Sequence, residues 1–334
     1  MNTTALPGRA LRLPGLLLGL GVAASVVAAA IAIAVAFGGP RSIQPMSSIN
    51  QPFAQVDFRM MPEVKRFPAR EGTTLAWRQY LPAVGAPASH PPRRIVLVHG
   101  SSASSRSLHP LAQALAAAGF TVNALDMRGH GDSGPRGQAA YVGQLEDDLE
   151  DFMRATPFAG PSTLLGFSSG GGFVLRVAGG ARQDSFDRYV LLSPYLRFDA
   201  PTSRPDAGWA SVGVPRIIGL RLLNHFGATT WNDLPVVEFA LNDQVRRLLT
   251  PRYSYTLAAS FGPHDDYRAD IRGARHQVLL LAGTEDELFH ADLFAAAFAE
   301  AGRPVSVTLV PGVNHIGLTL APQALAAIVR ACGV

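Results

Sequence analysis

The segment "LLGFSSGGGF" (residues 164–173) sets two serines in front of three glycines. A strand-like run leads into it, and a helix-like run, "GGFVLRVAGG" (171–180), leads out. That context argues against a flexible linker. A phosphate-binding loop would need a lysine and then Ser or Thr after its last glycine, but Phe173 and Val174 stand there. A dinucleotide-binding turn needs G-x-G-x-x-G, which these glycines do not spell. They do spell G-x-S-x-G, with Gly166, Ser168 and Gly170. In a strand-to-helix turn of that pattern the serine sits on a sharp, strained corner, and the residues two before and two after it must be small. Ser169 as nucleophile would place Phe167 at one of those positions, so Ser168 is the attacking residue. Ser169 is expected to offer its backbone N–H to a developing oxyanion. Gly171 and Gly172 are not required by the turn; close helix packing and room for a substrate chain both account for them.

A serine hydroxyl attacks well only beside a base, and the base needs a group that orients it. After a turn of this kind the expected chain order is serine, acid, histidine. "LLLAGTEDELF" (279–289) reads as a strand running into an acidic turn. Asp286, three residues past Gly283, is the expected acid, and Glu285 and Glu287 are read as solvated. "VTLVPGVNHIGLT" (307–319) is a later strand whose turn carries His315, the expected base. A second oxyanion donor should come from the loop after an earlier strand. In "VLVHGSSASS" (96–105) the strand ends at Val98, His99-Gly100 makes the turn, and Ser101 is placed to donate its N–H. His99 is read as bonding the turn.

These turns need a scaffold. Strand patterns at residues 73–80, 93–100, 120–129, 162–167, 188–194, 276–283 and 305–310 are interleaved with helical patterns at 108–120, 141–155, 171–180, 293–302 and 322–332. In the helix over 141–155, Val142, Leu145, Leu149 and Phe152 fall near one face. Alternation of this kind predicts an α/β fold with a mostly parallel sheet covered on both faces. Ligands then sit beyond the carboxyl ends of the strands, where the turns above lie. One stretch, about residues 199–274, interrupts the rhythm and is too long for a structureless loop. It carries apolar helical patterns at 214–227 and 235–250 and is expected to form an inserted helical cap.

Residues 16–37, "LLLGLGVAASVVAAAIAIAVAF", are uncharged and long enough to cross a bilayer as a helix. Arg9 and Arg12 precede them and Arg41 follows, a bias that keeps the N-terminus inside and places the rest of the chain on the extracytoplasmic side. A cleaved secretory signal is the second reading, because "AVA" before Phe37 has the small-x-small spacing of a cleavage site. Residues 38–61, rich in Pro, Ser, Gln and Gly, read as a tether, and residues 62–334 as the catalytic domain.

Composition narrows the chemistry. Of 29 basic residues only Lys65 is lysine, and the arginines are scattered rather than clustered, so no nucleic-acid partner is expected. Cys332 is the single cysteine and no H-E-x-x-H occurs, which leaves no internal disulfide, no CxxC motif and no cysteine-based zinc site. No cofactor is expected.

With the four turns placed, the chain resembles the α/β-hydrolase family, and within it the monoacylglycerol lipase/lysophospholipase branch that is grouped with S33 serine aminopeptidases. That branch carries "HGxx", "D-x-RGHG-x-S-x-x-RG" and "GHSMGG"; this chain has His99-Gly100-Ser101-Ser102, "DMRGHGDSGPRG" (126–137) and "GFSSGGG". The resemblance runs from about residue 67 to 334, apart from the cap. It departs at Phe167 and Ser169, where the branch has histidine and methionine. It implies that Ser168, His315 and Asp286 form a triad, and that Asp126, His130 and Asp132 belong to a structural turn. The implied activity is hydrolysis of a lipophilic carboxylic ester such as an acylglycerol or lysophospholipid. Acyl transfer to an alcohol through the same triad, and a non-catalytic binding module on the same scaffold, are the alternatives. Dehalogenase and epoxide-hydrolase members use an aspartate where Ser168 stands.

Overall fold

The apolar runs that precede the chemistry-bearing turns become the inner strands of one sheet. A computed structural model describes residues 13–86 and 91–333, with side chains from Leu17 onward. Arg9 and Arg12, on which the expected orientation of the N-terminal helix rests, lie outside the described residues. The strands are β1 (Val64–Pro68), β2 (Thr74–Tyr80), β3 (Arg94–Val98), β4 (Thr121–Asp126), β5 (Ser162–Phe167) and β6 (Arg188–Leu192), then β7 (Ala210–Val212), β8 (Pro235–Phe239) and β9 (Arg252–Ser254), and finally β10 (Gln277–Gly283) and β11 (Ser306–Val310). The main sheet has the order β1-β2-β4-β3-β5-β6-β10-β11. β2 runs antiparallel to both β1 and β4, and every other pairing is parallel. β3 and β5 are buried at every position, as expected of strands covered on both faces. The register pairs Val98 with Gly166, Phe167 with Leu192, and Gly283 with Val310. It therefore brings the carboxyl ends of β3, β5, β10 and β11 to one edge.

The helices are α1 (Leu13–Phe37), α2 (Ser47–Asn50), α3 (His109–Ala117), α4 (Gln144–Ala155), α5 (Ser169–Gly179), α6 (Val214–His225), α7 (Asp243–Arg246), α8 (Tyr255–Ser260), α9 (Tyr267–Gly273), α10 (Phe294–Glu300) and α11 (Pro322–Gly333). α5 packs on β5, β6 and α9, and α11 on α3. α4 buries Leu145, Leu149 and Phe152, whereas Val142 precedes the helix and is exposed. The edge strand β1, "VKRFP", has no clear strand pattern in the sequence. It is short, charged and ends in proline, which suits an edge that must not recruit further strands.

The cap differs from its expectation in one half. The helical pattern at 214–227 forms α6. The run 235–250, expected to be helical, opens instead as β8, flanked by β7 and β9 in an antiparallel sheet. Val236-Val237 favours a pleated backbone, and the burial alternates: Val236 and Glu238 are buried and Pro235 and Val237 half-buried. Buried Glu238 is paired by Arg246 and by Arg252, the latter at 3.0 Å, so its charge is compensated inside the cap. Only the short α7 follows.

The N-terminal region is also more structured than a tether. The C-terminal end of α1 packs on α6, where Val35, Leu220 and Val236 form a small core of their own. Arg216 donates to the carbonyls of Val35 (2.7 Å) and Ala36 (2.9 Å), which terminate α1, and to Pro235 (2.7 Å). The rest of α1 is exposed apolar surface over Leu17–Phe37, long enough to span a bilayer. Within residues 38–61, α2 docks on the cap: Met46 N–H donates to the Ala240 carbonyl at 3.0 Å, Asn50 Nδ2 donates to the same oxygen at 2.8 Å, and Ile49 is buried.

Candidate active site

β5 ends at Phe167 and α5 begins at Ser169, so Ser168 alone makes the turn. Its backbone adopts φ 55° and ψ −120°, a conformation that costs a residue with a Cβ on the order of 1–3 kcal/mol. The surroundings enforce it. Ser168 N–H donates to the Leu192 carbonyl at 2.9 Å, and the Ser168 carbonyl accepts from Gly172 N–H and Tyr195 N–H at 3.0 Å each. A Cβ on Gly166 would lie 2.2 Å from the Gly170 carbonyl oxygen, and one on Gly170 would lie 2.2 Å from that of His99. Both glycines are therefore fixed by backbone crowding rather than by flexibility.

His315 follows β11 and Asp286 follows β10. The pairing of those strands places the two side chains together, with His315 Nδ1 donating to Asp286 Oδ2 at 2.9 Å. That bond leaves Nε2 as the basic nitrogen of the ring. The other carboxylate oxygen, Asp286 Oδ1, accepts from Leu288 N–H at 2.9 Å and Phe289 N–H at 3.0 Å. Burial pushes the Asp286 carboxyl up, but the facing His315 charge and hydrogen bond outweigh it and hold it below the ordinary carboxylate value. The imidazole is packed between Phe167, with ring centroids 4.6 Å apart, and Phe289, at 5.3 Å. Phe167, one of the two departures from the family pattern, thus helps fix the orientation of the His315 ring. Glu287, read from sequence as solvated, accepts His315 N–H at 2.9 Å and is half-buried. Glu285 is exposed as expected. Ser168 and His315 line the same cavity, of about 250 Å³, together with Gly100 and Ser101. Ser169 is the first residue of α5, and first-turn N–H groups have no acceptor within their own helix.

The loop after β3 is held from both sides. On the sheet side, His99 Nδ1 donates to the Gly100 carbonyl at 2.7 Å, and its Nε2 accepts from Met127 N–H at 3.1 Å. Burial keeps this ring, and that of His130, neutral by lowering their pKa values. Asp126 accepts from Ser105 N–H at 2.7 Å and Asp132 N–H at 2.9 Å, so the "RGHG" turn buttresses the loop. On the cap side, Trp209 Nε1–H donates to Ser101 Oγ at 2.9 Å. Ser102, at φ 67°, donates its N–H to Tyr253 Oη at 2.5 Å and its hydroxyl to the Thr250 carbonyl at 2.7 Å. The Tyr253 hydroxyl in turn donates to His130 Nε2 at 2.6 Å, and His130 Nδ1 donates to the Arg128 carbonyl at 3.0 Å. Trp209, Thr250 and Tyr253 lie in the cap, and nothing in their local sequence marks them as partners of this loop. Glu287 adjoins Asp286 and could have been singled out only by the strand pairing.

The model of the serine aminopeptidase, S33, family matches residues 89–319. A monoacylglycerol lipase of Mycolicibacterium smegmatis is 39% identical over 118 residues, covering 33% of this chain and 41% of that lipase. The chain is therefore matched over about two fifths of the length of this relative. Among solved structures, a soluble variant of a monoglyceride lipase of Saccharomyces cerevisiae superposes with a TM-score of 0.62 at 16% identity, over 83% of this chain and 96% of that one. A monoacylglycerol lipase of Paleococcus ferrophilus gives 0.55 at 22% identity, over 77% and 96%. A carboxylesterase of Bacillus subtilis gives 0.57 at 16% identity, over 83% and 94%. These superpositions establish a shared fold.

Proposed function

Because this chain belongs to the serine aminopeptidase S33 family of α/β-hydrolases, we propose that it hydrolyses lipophilic carboxylic esters through Ser168, His315 and Asp286. The observation that carries this reading is the buried His315–Asp286 pair at 2.9 Å, opening on the same cavity as the strained Ser168. Ser168 Oγ attacks the ester carbonyl while His315 Nε2 takes its proton. Asp286 keeps the other ring proton on Nδ1 and stabilises the imidazolium. The negative charge that develops on the carbonyl oxygen is met by the N–H groups of Ser101 and Ser169, each such donor contributing about 3 kcal/mol to the transition state. The C–O bond breaks, the leaving alkoxide takes the proton from His315, and an acyl-Ser168 ester remains. Water then adds to that ester by the same route, releases the carboxylic acid and returns the proton to Ser168. The apolar lining of the cavity, with Leu241, Val245, Leu249 and Ile316 facing it, suits an acyl chain. The monoacylglycerol lipase relative favours an acylglycerol as substrate.

Helix α1 is read as a retained membrane anchor with the catalytic domain on the extracytoplasmic side. The contacts of Arg216 with the last turn of α1 favour retention, since cleavage after Ala36 would remove Val35 and Ala36 and leave that guanidinium without two acceptors. Fluorophosphonate labelling of membranes carrying the full chain tests the enzymatic reading. Wild type should be labelled and Ser168→Ala should not; equal labelling of both would reject Ser168 as the nucleophile. Retention of the labelled band in the membrane pellet after alkaline carbonate extraction tests the anchor.

A further inference from the structure

The cavity beside Ser168 has three walls. The catalytic turns supply the floor, and the cap supplies a roof through Leu241, Val245 and Leu249. The third wall comes from residues 46–58, far outside the sheet: Ile49, Phe53 and Phe58 all line the same space. This segment follows α1 and precedes β1, so neither the elbow nor the sheet needs it. Its position is nonetheless built. Asn50 clamps the roof, donating from Nδ2 to the Ala240 carbonyl at 2.8 Å and accepting Asn242 N–H on Oδ1 at 3.0 Å. The Arg106 guanidinium lies 3.6 Å from the centroid of the Phe58 ring, and His109 packs on that ring at 5.9 Å. Phe58, held in this way, presents apolar surface with little further entropy to lose on binding, and half-buried Phe53 lines the cavity from the same segment.

We propose that residues 46–58 form the wall that selects acyl-chain length, with Phe53 as its principal specificity-determining side chain. The proposal rests on the ester-hydrolase reading of the site. A chain of a few carbons satisfies the floor alone, whereas a longer alkyl chain reaches the space bounded by Ile49 and Phe53. The segment joining the anchor to the domain is then part of the substrate site, and the enzyme's preference is encoded outside the region that carries the family motifs.

The experiment uses the full chain in detergent micelles. kcat/KM is measured for p-nitrophenyl acetate, butyrate, octanoate and decanoate, alongside the rate at which a fluorophosphonate labels Ser168. Phe53→Ala should lower kcat/KM for the decanoate about tenfold, a loss in the range expected when apolar contact is withdrawn from a specificity pocket. Acetate turnover and labelling should stay within about twofold of wild type. Phe53→Leu should recover most of the decanoate activity. Phe53→Trp narrows the space and should move the optimum toward shorter chains, a gain-of-preference result that does not depend on tolerating a cavity. An unchanged decanoate-to-acetate ratio in all three variants, with labelling intact, would overturn the wall. Failure of wild type to label at Ser168 would overturn the hydrolase reading itself.

Discussion

At the floor of the cavity, every proposed catalytic group sits within five residues of a strand end: Ser168 after β5, Asp286 after β10, His315 after β11, and Ser101 after β3. At the roof and side wall the contributors are Trp209, residues 241–253 and residues 46–58, which meet only through long-range contacts. The floor is thus specified locally, by turn chemistry that parallel strands bring to one edge. The roof is specified by hydrogen bonds between segments up to 192 residues apart, such as Asn242 N–H to Asn50 Oδ1. On the proposed reading, reaction type belongs to the floor and substrate choice to the roof and side wall, so substitutions in the two regions should fail in different ways.

The largest effect is expected at the floor. Asp286→Asn keeps the shape but favours the wrong tautomer of His315, and kcat should fall by about 10⁴. KM and acyl-chain preference should be unchanged. The same variant tests the electrostatics. The native Asp286 carboxyl lies below its ordinary value, so its ionised form stabilises the fold above the ordinary carboxylate range, near pH 4. That contribution is lost as pH falls through the lower folded value. Thermal midpoints of wild type and Asp286→Asn should therefore differ by a constant amount between about pH 6 and 8 and converge in acid. A difference that grew on raising the pH through neutrality would contradict the sign of the shift.

A smaller effect should come from the contact through which the roof reaches the floor. Tyr253→Phe removes the hydroxyl that accepts Ser102 N–H and donates to His130 Nε2. Both partners are buried, and leaving them unpaired should cost about 1–3 kcal/mol of stability. The strained Ser102 adjoins the proposed oxyanion donor Ser101, so kcat should fall about tenfold on acetate and decanoate alike. This equality sharpens the contrast with Phe53, whose loss should discriminate between the two. A Tyr253→Phe enzyme that lost only long-chain activity would show that the cap acts through the acyl pocket rather than through the oxyanion loop.

How far the molecule could be read from its sequence follows the same division. The proposed triad of Ser168, Asp286 and His315 stands out in the sequence because G-x-S-x-G tolerates one frame only, and because Asp286 and His315 each follow a recognisable strand. The structure places His315 and Asp286 in contact and sets Ser168 on their cavity. The role of Gly172, left open by the turn, appears only in three dimensions: a Cβ there would lie 2.3 Å from the Tyr195 carbonyl oxygen. Residues 235–239 read as helix because apolar spacing in a short run fits either period, and only the flanking strands β7 and β9 decide for β8. Residues 46–58 read as tether because composition reports local flexibility. It is silent on Ala240 and Asn242, which supply the partners of Asn50.

The smallest effect on turnover should come from uncoupling α1 from the cap. Arg216 bridges the carbonyls of Val35 and Ala36 to that of Pro235, each at 2.9 Å or less. Its backbone N–H also donates to the Gly38 carbonyl at 3.2 Å. Arg216→Ala leaves the floor untouched, and kcat/KM for acetate should stay within about twofold of wild type. The chain beyond α1 should become looser, because the side-chain bonds of Arg216 are lost and residues 38–45 keep the backbone bond of Arg216 N–H to the Gly38 carbonyl at 3.2 Å and that of Arg41 N–H to Ser211 Oγ at 2.9 Å. Trypsin cleavage after Arg41, followed by mass spectrometry, should accelerate several-fold, as expected when local opening requires less free energy. Decanoate turnover separates two arrangements of the roof. If the Asn50 clamp alone holds the side wall, decanoate activity stays with acetate while cleavage at Arg41 rises. If it falls in step with the cleavage rate, the docking of α1 on the cap also sets the wall's position, and the roof extends to α1.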